Sequence, residues 1–524
     1  MSHPGSFDFT TEVPAASTLG AVHFIAIGGA GMSGVARVML ARGMSVSGSD
    51  AKESLVLAAL VAEGAQVHIG HDAAHLGDAD TVVISSAIRE SNIELREARA
   101  RGLLVLHRSQ ALASVMQGSR RVAVAGANGK TTTTSMLVVA LQHCGVDPSF
   151  AVGGELAKHG TNAHYGTGDI FVAEADESDG SFLVYRPEVA IVTNVQPDHL
   201  DFYGTFKEVQ AAYATFAATI QPGGLLVVCA DDQGSRDLLD VARAAGTRVI
   251  TYGQAADADV RLTDVGGAGL HAHAELWRAK PDDGRAGRAG RAGSDGGDGG
   301  DGSDGSDGTV EIGRLDIGMP GRHNLLNATA AFVAATDGLG QDPARVLEGL
   351  ARFTGTRRRF EPKGEAGGVR VVDDYAHNPG KVTAVVETAS ILAAPGRLIV
   401  VFQPHLYSRT RDFAAELATA LSPADIVVVM DVYAAREDPM PGVSGELITD
   451  RLSEQPGRGV HAGECALFVP SWSEVAPLVA QIAKPGDLVL TVGAGDVTMI
   501  GPEILRLLRQ RPVTSAVASS QELT

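Results

Sequence analysis

Val122-Ala123-Val124-Ala125-Gly126-Ala127-Asn128-Gly129-Lys130-Thr131-Thr132 is the stretch that decides the fold. Four small or β-branched residues predict a short buried strand, Gly126 to Gly129 a tight turn, and Thr131 onward a helix ending near Gly145. In that order, backbone N–H groups and a helix N-terminus face a polyphosphate, a lysine ammonium reaches its outer phosphates, and a threonine hydroxyl can take a Mg2+ site. The strict pattern wants glycine where Val124 stands, so this is a shortened Gly-x-x-Gly-Lys-Thr loop. The bland alternative is a glycine turn with a surface lysine. Strand, lysine and hydroxyls in one register weigh against it.

Around this loop the chain runs to 524 residues, too many for one ordinary core, and two to four domains are expected. A hydrophobic share of 44% against 20% charged residues is that of a soluble globular protein, and no apolar run is long enough to span a bilayer. Met1 to Ser17 lack the basic and apolar regions of a signal peptide, which predicts a cytoplasmic protein. Cys144, Cys229 and Cys465 are widely separated, without metal-ligand spacing, and read as reduced core thiols. A formal charge of -19 argues against a nucleic-acid backbone as the main partner.

Upstream, Val22 to Ile27 predicts a buried strand, followed by Gly28 to Gly34 and a helix to about Arg42; Ser45 to Ser49 predicts a second strand ending at Asp50. Gly29, Gly31 and Gly34 fit a dinucleotide fingerprint, with Asp50 roughly where a ribose-binding acid belongs. Alone, this pattern says NAD. Beside the Lys130 loop, it says that a nucleotide diphosphate group can rest on the first helix. Strands Thr81 to Ser85 and Leu103 to Leu106 lead into Ser86 and into His107 and Arg108, each of which reads equally as a ligand contact or a solvated loop residue.

Downstream, the strand Ile170 to Ala173 ends in Glu174-Ala175-Asp176-Glu177-Ser178-Asp179. Glu174 stands where an acid holds Mg2+ beside a phosphate loop; its acidic neighbours read equally as solvated. Val189 to Thr193 is another strand, and beyond it His199 lies between two acids, a candidate second metal ligand. Pro281 to Gly308 is a Gly/Asp-rich tract that cannot build a core and reads as a disordered surface insertion. Order resumes with Val310 to Ile317, and Met319 to Asn327 reads as the start of an Ala-rich helix.

A third unit begins near Phe353. Its strands, Val369 to Val372, Leu398 to Phe402, Ile426 to Met430 and Leu488 to Val492, alternate with helical patterns, as in a mostly parallel sheet. Each strand is followed by polar residues: Asp373 to Pro379, Gln403 to Arg409, Asp431 to Glu437, and Gly493 to Asp496. Four such endings point to a site.

These residues resemble the Mur ligases of peptidoglycan synthesis, over nearly the whole chain apart from the 281–308 tract and the tails. Gly126 to Thr132 is similar to that family's ATP loop, while Gly28 to Gly34, Ala173 to Ser178 and Phe402 to Arg409 resemble its alanine-adding branch. Two positions depart: Asn128 stands where histidine is more usual, and Leu406 where many members carry arginine. Ala211 to Thr215 holds no lysine where later-acting members use a carbamylated one, which fits the alanine-adding branch.

The resemblance implies an α/β protein of three domains: a Rossmann-like N-terminal UDP-substrate domain over residues 1–118, a central P-loop ATPase-type domain over 119–353, and a Rossmann-like C-terminal domain over 354–524 that closes over the site. It implies ATP-driven ligation of L-alanine to the carboxylate of UDP-N-acetylmuramate through an acyl phosphate, with Mg2+. A monomer or weak dimer with no nucleic-acid partner and no membrane insertion is expected. By similarity, Gly126, Ala127, Asn128, Gly129, Lys130, Thr131, Thr132, Asn324, Asn327, Arg359 and Asp374 bind ATP. Gly29, Ala30, Gly31, Met32, Asp50, Ser85, Ser86, Arg108, His405 and Arg409 bind the UDP substrate. Thr131, Glu174 and His199 serve metal, and Lys130, His199, Arg359, His377 and His405 are the catalytic candidates. The amine must be neutral to attack, and His377 and His405 are both candidate bases. Three other readings fit parts of the pattern: an NAD-dependent oxidoreductase, a non-catalytic nucleotide sensor, and a tripeptide-recycling, folate or cyanophycin ligase.

Overall fold

Buried apolar runs of four to six residues, bounded by glycine turns and separated by helices, assemble into three largely parallel sheets. The computed structural model describes residues 7–156, 160–280, 308–435, 437–454 and 466–511. The insertion expected over 281–308 lies outside the described residues except for Gly308, as does Cys465. Two compact units are present, Met1–Thr356 and Arg357–Thr524.

The first unit holds two sheets. In the smaller, β1 (Val22–Ile25), β2 (Val46–Asp50), β3 (Gln66–Ile69), β4 (Thr81–Ile84) and β5 (Leu104–His107) lie in the order β3-β2-β1-β4-β5, all parallel. Strand order reverses between β1 and β4, the switch point at which open α/β sheets bind ligands. The turn after β1 is the Gly28–Gly34 loop, and the helix Ala30–Ala41 follows.

The larger sheet has ten strands: β6 (Arg120–Ala125), β7 (Ser149–Leu156), β8 (Thr161–His164), β9 (Ile170–Glu174), β10 (Val189–Val192), β11 (Leu225–Cys229), β12 (Arg248–Gly253), β13 (Val260–Ala268), β14 (His271–Ala279) and β15 (Thr309–Ile317). Their order is β15-β14-β13-β12-β11-β10-β6-β9-β7-β8. β6 is fully buried from Val122 to Ala125 and lies between β10 and β9, with Val124 opposite both Ile191 and Glu174. That register brings the ends of β9 and β10 to the two sides of the Gly126–Thr132 loop. The helix Lys130–His143 leaves the loop and packs on the helices Arg322–Val333 and Pro343–Ala351. The antiparallel β13–β15 edge was legible only in β15.

The second unit carries β16 (Glu361–Ala366), β17 (Val369–Asp374), β18 (Leu398–Phe402), β19 (Ile426–Val429), β20 (Ala466–Phe468) and β21 (Leu488–Val492), ordered β16-β17-β21-β18-β19-β20. The four expected strands are the central ones, β17-β21-β18-β19, and they run parallel. All four polar endings therefore emerge from one edge of the sheet.

Candidate functional site

The loop after β6 can turn because of two glycines. Gly126 has φ of +136°, and a Cβ there would stand 2.0 Å from Thr193 Oγ1; Gly129 has φ of +87°, and a Cβ there would stand 2.4 Å from Asn327 Oδ1. The end of β10 buttresses the turn. The Asn128 N–H donates to Asn194 Oδ1 at 2.9 Å, and the Asn128 carbonyl accepts from Thr193 Oγ1 at 2.6 Å and Asn194 Nδ2 at 3.0 Å. The Asn128 side chain donates to Gln196 Oε1 at 2.9 Å, which accommodates this residue in place of histidine.

Lys130 curls over the turn. Its Nζ donates to Gly126 O at 2.7 Å and lies 2.9 and 2.8 Å from the two Glu177 carboxylate oxygens. Burial opposes the ammonium charge, but the carboxylates of Glu177, Asp176 and Glu174 outweigh it and hold the lysine above its ordinary value. The Thr131 hydroxyl lies 3.1 and 3.0 Å from the Glu174 oxygens, and Glu174 also accepts from the Gly153 N–H at 2.7 Å. Thr132 is buried in the first helical turn, and Ala127 donates to Asn194 O.

His199, with a left-handed φ of +54°, faces Glu177 at 3.8 Å and Asp198 at 3.9 Å. The structure thus gathers Thr131 with Glu174, and His199 with Glu177. Among the described residues no group of three or more His, Cys, Asp and Glu is arranged to hold a metal. A hydroxyl and one carboxylate nevertheless fit Mg2+, which keeps waters and phosphate oxygens as its other ligands. Asn324 and Asn327 are buried at the start of the helix Arg322–Val333; Asn324 Nδ2 donates to Pro320 O at 2.7 Å, and Asn327 lies against Gly129.

Asp176, Glu177 and Asp179, which read equally as solvated in the sequence, each have a structural partner. Arg108 Nη2 donates to Asp176 Oδ2 at 2.8 Å, and Ser86 Oγ to Asp179 Oδ2 at 2.5 Å. His107 Nε2 lies 3.1 Å from Ser86 Oγ and 3.4 Å from Asp179. Their clustering after a buried strand was the signal available. Tyr203, unnoticed in the sequence, donates to the Glu177 carbonyl at 2.6 Å.

At the first glycine loop, Gly28 N–H donates to Asp50 Oδ2 at 2.9 Å and Gly29 N–H to Ala26 O. Ala30 O accepts from Asn162 Nδ2 at 2.7 Å, Met32 is buried, and a Cβ at Gly31 would stand 3.0 Å from Arg108 Nη1. Ser85, expected as the last residue of its strand, follows the end of β4 at Ile84 and precedes Ser86. Beneath Asp50, the fully buried Glu94 accepts from Ser49 Oγ at 2.6 Å and faces His71 at 2.9 Å, His75 at 3.3 Å and His23 at 3.9 Å. No sequence motif announces this cluster.

In the second unit, Asp374 accepts from the Phe360 and Ala376 N–H groups at 2.8 and 2.7 Å; burial nevertheless pushes its carboxyl up. The guanidinium groups of Arg358 and Arg359 lie over the Tyr375 ring, 4.9 and 5.2 Å from its centre. His377 Nδ1 lies 2.9 Å from Tyr375 O, its ring is 5.6 Å from that of His405, and His405 stacks on Tyr433 at 6.0 Å. Burial, with the nearby charges of Lys381 and Arg409, holds the His377 imidazole well below its ordinary range. Leu406 is buried at φ of +70° with its N–H on Tyr433 O, so here it forms a tight bend rather than a polar contact.

Three family models match this chain. The Mur ligase family catalytic domain matches residues 21–120, the Mur ligase middle domain 124–280, and the Mur ligase glutamate ligase domain 358–495. The chain is 51% identical over 494 residues to the UDP-N-acetylmuramate–L-alanine ligase of Saccharopolyspora erythraea, covering 92% of each chain. It is 52% identical over 502 residues to the protein of the same name from Kineococcus radiotolerans, covering 95% of this chain and 98% of that one. The crystal structure of the UDP-N-acetylmuramate–alanine ligase of Thermotoga maritima superposes with a TM-score of 0.71 at 28% identity, covering 93% of this chain and 98% of that chain.

Proposed function

The chain belongs to the Mur ligase family, and from that premise we propose that it is an ATP-dependent ligase that joins L-alanine to the lactoyl carboxylate of UDP-N-acetylmuramate in peptidoglycan precursor synthesis. The observation that carries this reading is the Lys130–Thr131 loop set against Glu174, in a chain about half identical along almost its full length to ligases of that name. On this reading residues 1–118 take the UDP substrate, 119–353 take ATP, and 354–524 serve the amino acid. The reaction runs in the cytoplasm in a monomer or weak dimer. No helix of the described residues is long and apolar enough to cross a membrane.

A carboxylate is a poor electrophile, so its oxygen first attacks the γ-phosphorus of ATP; the bond to the bridging oxygen breaks, ADP leaves with that electron pair, and an acyl phosphate forms. Lys130, released from Glu177, offsets repulsion between the two anions. Thr131 and Glu174 are the residues to hold Mg2+, with His199 as a further ligand candidate. When bound, the metal supplies charge neutralisation at the transferring phosphoryl group. The alanine nitrogen then attacks the acyl carbon, the carbon–oxygen bond to phosphate breaks, and the nitrogen loses a proton. His377 suits the base. Burial keeps it neutral, and with Nδ1–H donated to Tyr375 O its Nε2 lone pair can accept that proton. Arg359 serves phosphate charge, and His405 and Arg409 the substrates.

Phosphate release from ATP, measured with UDP-N-acetylmuramate and a panel of amino acids plus a muramyl-type tripeptide, tests this directly. L-Alanine should give the fastest turnover. Release driven by the tripeptide, or none dependent on the UDP substrate, would refute the reading.

A further inference from the structure

The acidic turn after β9 has two faces. Glu174 and Glu177 point to Thr131 and Lys130 of the phosphate loop, while Asp176 and Asp179 point to Arg108, Ser86 and His107 at the ends of β4 and β5. The turn is held in shape by its own backbone: Ser178 N–H donates to Asp176 Oδ1 at 3.2 Å and Ser181 N–H to Asp179 Oδ1 at 3.1 Å. The Arg108 guanidinium is also packed against Gly31 of the first glycine loop, so it stands between Asp176 and the place where that loop can receive a diphosphate. Resting on the proposed function, we propose that Asp176 is a positioning residue that couples the two nucleotide sites by sharing Arg108 with the ligand of the first loop.

Arg108 neutralises Asp176 at 2.8 Å. A nucleoside diphosphate at the first loop competes for that guanidinium. Asp176 then loses its nearest cation, and its charge adds to those of Glu174 and Glu177 on the other face of the same turn. A more negative turn favours a divalent cation beside Glu174 and opposes a bare polyphosphate beside Lys130. The coupling therefore has a metal-dependent sign. A diphosphate at the first loop tightens metal-bound nucleotide at the second and loosens metal-free nucleotide, and by linkage the reverse effects are equal.

The test titrates the full-length protein with β,γ-imido-ATP by calorimetry, with and without saturating UDP, in Mg2+ and again in EDTA. Wild type should show about a fivefold or greater gain in affinity with UDP in Mg2+, and a loss in EDTA. Asp176→Asn, checked for folding by its unfolding midpoint, should bind each ligand alone yet show a factor near one in both conditions. Wild-type sites that bind independently, or an effect of the same sign in both conditions, would overturn the coupling while leaving the proposed function intact. Retention of both signs in Asp176→Asn would remove Asp176 from it. Failure of UDP to bind at all would overturn the proposed function, and the inference with it.

Discussion

The molecule contains two strand–glycine–helix turns, Gly28–Gly34 after β1 and Gly126–Thr132 after β6, and charge reaches them differently. The second carries its own cation: Lys130 begins the helix, and Thr131 beside it meets Glu174. The first has none. The helix Ala30–Ala41 opens without an acid or a base in its first turn, Asp50 closes on the loop by accepting the Gly28 N–H, and the positive charge arrives from Arg108 at the end of β5. A loop with a built-in lysine can be read from a short run of sequence. A loop that borrows its cation cannot, because the lender is a property of the sheet order and is shared with Asp176, 68 residues away.

The largest expected effect breaks the self-sufficient loop. Lys130→Ala should lower ligation by about 10²- to 10³-fold or more, the cost of removing a charge aimed at a developing transition state. Without its partner, Glu177 stays buried but can protonate, so the fold should persist. Steady-state phosphate release together with the unfolding midpoint checks both halves. Near-normal turnover in a folded variant would remove Lys130 from the chemistry.

Glycine-to-alanine changes sharpen the contrast at the next level. Gly129→Ala places a Cβ 2.4 Å from Asn327 Oδ1 at a left-handed φ, a backbone cost of about 1–2 kcal/mol before the clash is relieved. Binding of an ATP analogue should fall tenfold or more by the same estimate. Gly31→Ala meets only the far end of Arg108 at 3.0 Å, and that side chain can give way. UDP affinity should drop a few-fold with the ATP site unchanged. Equal losses at both sites in both variants would mean that the loops are not separable.

The pattern of what could be read in advance follows the same physics. Buried central strands such as Val189–Val192 and Leu398–Phe402 announce themselves as unbroken apolar runs, and in each sheet the endings of parallel strands fall on one edge. Edge strands such as Gln66–Ile69 went unrecognised because they are short and largely solvated, with no apolar run to mark them. Lys130, Thr131 and Glu174 were legible as neighbours because the loop pattern is local and one acid ends the adjacent strand. Glu177, Asp176 and Asp179 were not separable from solvated acids, since the partners of Glu177 come from the loops after β6 and β10 and those of Asp176 and Asp179 from the other sheet. Glu94 and its histidines were invisible for that reason too: each histidine looks structural alone, and only the folding of β1, β2 and the segments after β3 brings them together.

A third prediction concerns the strand beneath the first loop. His23 on β1 is fully buried, with Nδ1 2.9 Å from Ser47 Oγ, whereas β6 is apolar from Val122 to Ala125. Burial pulls the His23 imidazole down to about 4, the Glu94 charge opposing only in part. The unfolded state, with an ordinary value near 6.5, therefore binds more protons between those limits, and stability is full above pH 6.5 and falls as pH drops toward 4. The slope contributed is at most one proton, about 1.4 kcal/mol per pH unit. Unfolding midpoints of wild type and His23→Gln, followed from pH 7 to 4.5, should diverge, the variant losing less. Parallel curves would place the acid sensitivity elsewhere.

The smallest effect is expected at the far edge of the large sheet. β14 and β15 form the outer edge of the large sheet, five and six places from β6 in its order, and they pair up to Ala279 opposite Thr309 with Lys280 N–H donating to Gly308 O at 2.8 Å. The ladder thus closes before residue 281, and its ends are near enough for a short link. The tract 281–308 holds seven Asp and three Arg, a net charge of -7 + 3 = -4, and hardly an apolar residue. It can add little to a core. Replacing it with a short Gly-Ser turn lowers closure entropy by only about 0.6 kcal/mol per halving of length, a change in the stabilising direction. Ligation should stay within a few-fold of wild type, and the affinities for UDP and for an ATP analogue should not move. A shift in either affinity would mean that the tract reaches one of the loops, and which affinity moved would say which loop it was.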